Sequence, residues 1–88
     1  MKAEVERFRD WSMPWKFISH MRESLASRPD TLAQFERIYS EASDPSHWRS
    51  ADLPYACKIA HTETKQKFPE IEDDVIAAIV RASSYDWR

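Results

Sequence analysis

The sequence predicts an all-α fold, a small compact bundle of four to five short helices around a buried C-terminal helix. Apolar residues recur at helical spacing in successive segments, and the period-2 alternation of a half-buried strand is missing. The chain contains no glycine and no asparagine, so the Asn-Gly and glycine turns that close most hairpins are absent, as are the usual left-handed helix caps. Residues 68–88, FPEIEDDVIAAIVRASSYDWR, are too apolar to lie on a surface. Ile71, Val75, Ile76, Ala77, Ala78, Ile79, Val80 and Ala82 cover nearly every direction around a helix, and such a helix must be buried on most sides.

The elements follow in order. Lys2 to about Trp11 places Val5, Phe8 and Trp11 or Ser12 on one side, which reads as a short amphipathic helix. Pro14 breaks it, and Ser12-Met13-Pro14 reads as the start of a second helix, because proline fits a first turn. Trp15, Ile18, Met21 or Arg22, and Leu25 then keep helical spacing to about Ser27, with Phe17 off the stripe. Arg28-Pro29-Asp30 ends it. Thr31 with Gln34 suits a capping box for a third helix, along which Leu32, Phe35, Ile38, Tyr39 and Ala42 form one stripe. So short a turn predicts that helices two and three lie antiparallel as a hairpin.

Residues 43–50, SDPSHWRS, read as the longest loop, opened by Asp44-Pro45. Ser50 or Asp52 is placed to cap a fourth helix, with Pro54 in its first turn and Leu53, Ala56 or Cys57, Ile59, Ala60 and Thr64 facing inward. Phe68-Pro69 closes that helix, since the residue before proline avoids the α region. The last helix opens with Glu70, Glu72, Asp73 and Asp74.

Length and composition bound the function. A chain of 88 residues reads as one α-helical domain, residues 1–88, burying roughly 60–65% of its unfolded surface, so its stability is modest unless a partner adds to it. No apolar stretch approaches a membrane span of ~18 residues, and the N-terminus MKAEVERFRDW is too charged for a signal peptide. One cysteine, Cys57, rules out an internal disulfide and suits a reducing compartment. The expected location is the cytoplasm. Glycine-rich phosphate loops and dinucleotide fingerprints are excluded.

The charged and aromatic residues supply the candidate sites. Glu70, Glu72, Asp73 and Asp74 suit a first turn, where the helix dipole stabilises carboxylates, yet four acids exceed what capping needs. The excess suits a basic partner surface and electrostatic steering toward it. Residues 1–28 carry six basic and four acidic side chains, while 70–88 carry five acidic and two basic. Arg7, Arg9, Lys16 and Arg22 near Trp11 and Trp15 make a small basic patch, diluted by Glu4, Glu6, Asp10 and Glu23. With a pI near 5.9, nucleic acid is disfavoured as a partner. Cys57 and His61, one helical turn apart, offer two of the four ligands zinc takes, with no recognised spacing for the rest. No metal, cofactor or catalytic arrangement is assigned. In the loop, Trp48 either plugs the core or, beside His47 and Arg49, anchors a contact. Trp87 raises the same choice at the C-terminal end.

These residues favour a protein that works by binding another protein. The concrete expectation is a bacterial inhibitor or immunity-type protein that blocks a toxin or nuclease, an analogy of size and composition. Glu70, Glu72, Asp73 and Asp74 would meet basic groups on the partner, with Trp48, Arg49 and Trp87 as anchors. Two alternatives stand beside it: a helix-turn-helix DNA-binding regulator, and a phage-encoded inhibitor of a host defence complex. A homodimer completing the core around the last helix is a further arrangement.

Overall fold

The computed structural model describes residues 1–49 and 52–85. Among them every regular element is helical: α1 (Lys2–Arg7), α2 (Lys16–Ser24), α3 (Pro29–Ala42), a short 3-10 turn (Pro45–His47), α4 (Leu53–Lys67) and α5 (Asp73–Ser84). The Cα radius of gyration is 12.3 Å, close to the ~12 Å of a compact chain this long. As the sequence predicts, α5 is central. It touches all four other helices, and it buries Val75, Ile76, Ala78, Ile79, Val80, Ala82, Ser83 and Ser84. Its outward positions are Asp73, Asp74, Ala77 and Arg81, one stripe at helical spacing.

The N-terminal third departs from expectation. α1 stops at Arg7 rather than near Trp11, because Phe8 leaves the helix in an extended conformation and turns its ring into the core. Pro14 does not open α2. Residues 10–17 instead pass through successive three-residue turns, with Met13, Lys16 and Phe17 N–H groups donating to the carbonyls of Asp10, Met13 and Pro14. α2 starts at Lys16, which moves the buried stripe to Phe17, Ile18, Met21 and Leu25. Trp15, expected on that stripe, is 59% exposed, and Phe17, expected off it, is fully buried. Phe17 packs against Phe8, Trp11 and Phe35 at ring-centroid distances of 5.3, 5.2 and 6.5 Å.

The second departure lies between α2 and α3. α3 begins at Pro29, and no side chain caps it, so Thr31 and Gln34 sit inside the helix and form no capping box. The two helices do not pack as a close hairpin. α2 lies against α1 and α5, and α3 against α4 and α5. What joins α2 to α3 is side-chain contact: Phe17 with Phe35, and a two-pronged Arg22–Glu36 ion pair at 2.8 and 3.0 Å.

From α3 onward the expected elements stand. Phe35, Ile38 and Ala42 are buried, with Leu32 and Tyr39 at the core's edge. Asp52 caps α4, its carboxylate accepting from the Tyr55 N–H at 3.4 Å, and Pro54 lies in the first turn. The alternative cap Ser50 lies outside the described residues. α4 ends at Lys67, just before Phe68-Pro69. α5 opens at Asp73 with Glu72 as its N-cap, so Glu70 belongs to the connection rather than to the helix. With no glycine for a left-handed cap, no described residue has positive φ.

A buried and a partly buried carboxylate brace the bundle. The Glu4 carboxylate, which the sequence pattern treats as surface, is buried. It meets the N-terminal ammonium at 3.0 Å and the Arg28 guanidinium. The His20 Nε2–H donates to the Glu4 carbonyl at 2.8 Å. On the other side, Glu41 of α3 accepts from His47 Nε2 at 2.7 Å and from Lys67 of α4. Burial raises the Glu41 pKa, but hydrogen bonds from Lys67 and His47 outweigh it and leave the carboxyl below the ordinary 4.5.

A depressed folded pKa contributes stability that is present above pH 4.5 and is lost as pH falls through the folded value. Glu41→Gln should therefore cost about 1–3 kcal/mol at neutral pH. The gap to wild type should narrow as pH drops below 4.5. Urea midpoints across that range test this, and a gap constant with pH would show that the ionised carboxylate is not the source.

Candidate functional site

α4 and α5 are joined by the five residues between Lys67 and Asp73 and run back along each other. Lys65 Nζ donates to the Ile71 carbonyl, and the Asp73 carboxylate lies 3.7 Å from His61 and 3.6 Å from Lys65. These contacts place the end of α4 beside the start of α5. Along their outer seam lies an open groove of about 630 Å³. Its apolar surface comes from Leu53 and Pro54 of α4, Ala77 and Val80 of α5, and Tyr85. Lys58 and Arg81 supply its charged rim with the His61 ring beside them, and no carboxylate lines it among the described residues.

The groove exists because α4 is apolar on more than one face. Ala56, Ala60 and Thr64 form its buried stripe, while Leu53 and Cys57 turn into the groove. Tyr55, 56% exposed, and Ile59 line a smaller hollow of about 190 Å³ on the next face. Lys58 and Thr62 line both, so the two hollows adjoin across these two polar side chains. On the opposite wall, the small Ala77 side chain keeps the seam open. Arg81 is held in place by its guanidinium, which stacks over the Trp11 ring at 4.4 Å.

Of the residues singled out in the sequence, the acids do come together. Glu72, Asp73 and Asp74 cluster at the start of α5, and Glu70 lies exposed two residues before Glu72. Their charge is partly answered within the chain, since Lys2 lies 3.7 Å from Glu72 and 3.5 Å from Asp74. The proximity of Asp74 raises the Lys2 pKa. All these partners are exposed, so the pairs add little stability and leave the carboxylates accessible.

Trp48 does not stand out as a surface anchor. It is buried to 9% exposure, and its indole N–H donates to the Ala42 carbonyl at 2.9 Å, so it fills the core beyond the end of α3. Arg49 is exposed beside it, and Trp87 lies outside the described residues. Among the described residues the exposed indole is Trp15, which the sequence pattern placed on the buried stripe. Tyr55 and Ala77 were missed as well. For Tyr55 a signal existed, because α4 carries apolar residues on three faces and only one can be the core stripe.

The remaining candidates are dispersed. Arg7, Arg9 and Lys16 surround a separate cleft of about 660 Å³, but Asp10 and Glu23 line it too, and Arg22 is engaged by Glu36. Cys57 and His61 both face the α4–α5 groove. Among the described residues no group of three or more His, Cys, Asp or Glu is arranged to hold a metal ion, and no helix is long and apolar enough to cross a membrane. No protein-family model, curated protein or solved structure matches the chain.

Proposed function

We propose that the domain is a small non-enzymatic protein-binding module of the inhibitor or immunity type, blocking a toxin or nuclease by direct contact. The observation that carries this reading is the α4–α5 groove, an apolar seam that stays open to solvent between two helices. Concave clefts with apolar walls and a few polar groups at the rim are where binding partners commonly seat. The accessible carboxylates Glu70, Glu72, Asp73 and Asp74 adjoin one end of the seam and offer basic groups of the partner a point of approach. Arg49 and Trp15 lie exposed elsewhere and are secondary contacts at most.

Capture from the native lysate with tagged protein, at low and high salt, tests the reading. The expected result is one stoichiometric protein partner whose activity is suppressed in the complex and restored on release. That partner should be lost with Ala77→Trp, which fills the seam from an exposed position. Recovery of nucleic acid whose binding falls steeply with salt would move the assignment to a DNA-binding regulator. A partner retained by Ala77→Trp would detach the function from the groove.

A further inference from the structure

We infer that the α4–α5 groove takes an amphipathic helix of the partner, with acidic side chains flanking its apolar stripe. This rests on the protein-binding reading and specifies its occupant. Helical geometry is the first ground. The lining positions Leu53, Cys57 and His61 on α4, and Ala77, Arg81 and Ser84 on α5, each follow the three-to-four-residue step of one helix face. Two parallel ridges of that kind leave a furrow into which the ridge of a third helix packs. The α4 lining runs from Leu53 to Thr62, about 14 Å at 1.5 Å per residue, so the docked segment spans roughly three turns.

Charge selects the occupant. Lys58, His61 and Arg81 rim the groove, with no carboxylate among the described lining residues. A helix with glutamates or aspartates beside its apolar stripe matches this rim. A second copy docked with its two-fold axis through this rim would set Lys58 and Arg81 against their own counterparts. The face is also polarised along its length. Beyond His61 the surface turns negative at Asp73, with Glu72 and Asp74 next to it. The helix therefore docks in one direction, its acidic part over Lys58 and Arg81 and any basic end over the acid cluster.

A display library of random helical peptides, about sixteen residues or four turns long, tests the inference without the native partner. Selection on the wild-type domain should enrich apolar residues at i, i+3, i+4 and i+7 flanked by Asp or Glu. Ala77→Glu and Ala77→Lys place side chains of similar length and opposite charge in the groove from an exposed helical site, and circular dichroism checks that both fold. Ala77→Glu should weaken the selected peptides about tenfold or more, equivalent to about 1.4 kcal/mol, and Ala77→Lys clearly less.

Enrichment of basic or non-helical sequences, no enrichment, or equal weakening by the two variants overturns the inference. So does sedimentation showing a wild-type dimer that Ala77→Glu dissolves, because a second copy then fills the groove. If helices are selected as described but the lysate yields no protein partner, the inhibitor reading falls and this one stands. If a lysate partner binds Ala77→Glu unchanged, the reverse holds.

Discussion

Phe17→Ala lowers the stability of the domain by about 3–5 kcal/mol, the cost of deleting a fully buried aromatic ring and leaving a cavity. Phe17 has no solvent exposure, and its ring links three segments: Phe8 after α1, Trp11 in the turns, and Phe35 on α3. Because α2 and α3 are joined largely through side chains, the backbone has little means of closing the void. A domain of this size has only about 5–15 kcal/mol in total, so the variant should lose much of its folded population. At about 4–8 °C per kcal/mol for chains this long, the melting temperature should fall by at least ~12 °C. Trp15→Ala, two residues away, should stay within about 0.5 kcal/mol, as substitutions at exposed positions usually do. Urea or thermal melts of the two variants decide it. Comparable losses would mean that the helical stripe runs through Trp15 after all.

That contrast locates where the sequence was legible. α4 and α5 could be read because each carries a boundary or burial signal with one physical outcome, whereas α3 was legible through its apolar stripe and not through its start. Pro54 can sit only in a first turn, Phe68-Pro69 must end a helix, and an all-round apolar segment must be buried. α2 carries no such signal. Residues 17, 18, 21 and 25 form as good a stripe as 15, 18, 21 and 25, and the choice depends on where the helix starts. Pro14 suggested an early start, whereas the backbone makes a series of turns before Lys16.

Glu4 was unreadable for another reason. Its carboxylate is held by the N-terminal ammonium and by Arg28, 24 residues away, and no local pattern encodes the second pair. The groove was hidden by the same kind of dependence. Leu53 looks like a core residue in a linear reading. It is left at the edge of an open seam because the chain places no further described helix over the outer side of α4 and α5.

Trp48→Ala is expected to cost about 3–5 kcal/mol of stability, and this outcome separates the two fates open to that tryptophan. The indole is nearly buried, and its N–H satisfies the Ala42 carbonyl, one of the carbonyls a helix end leaves without an intrahelical donor. Glycine caps commonly serve that need, and this chain has none. The loop is built to deliver the ring. Asp44 accepts from the Ser46 N–H at 2.9 Å and sets the 3-10 turn, and His47 bonds back to Glu41. Trp48→Phe divides the effect. It keeps most of the buried surface but leaves the Ala42 carbonyl unpaired, at a cost of about 1–3 kcal/mol. An interface anchor would behave in the opposite way, with Trp48→Ala leaving the urea midpoint near wild type and abolishing partner capture. Measuring stability and capture on the same two variants therefore assigns Trp48 to the core or to the interface.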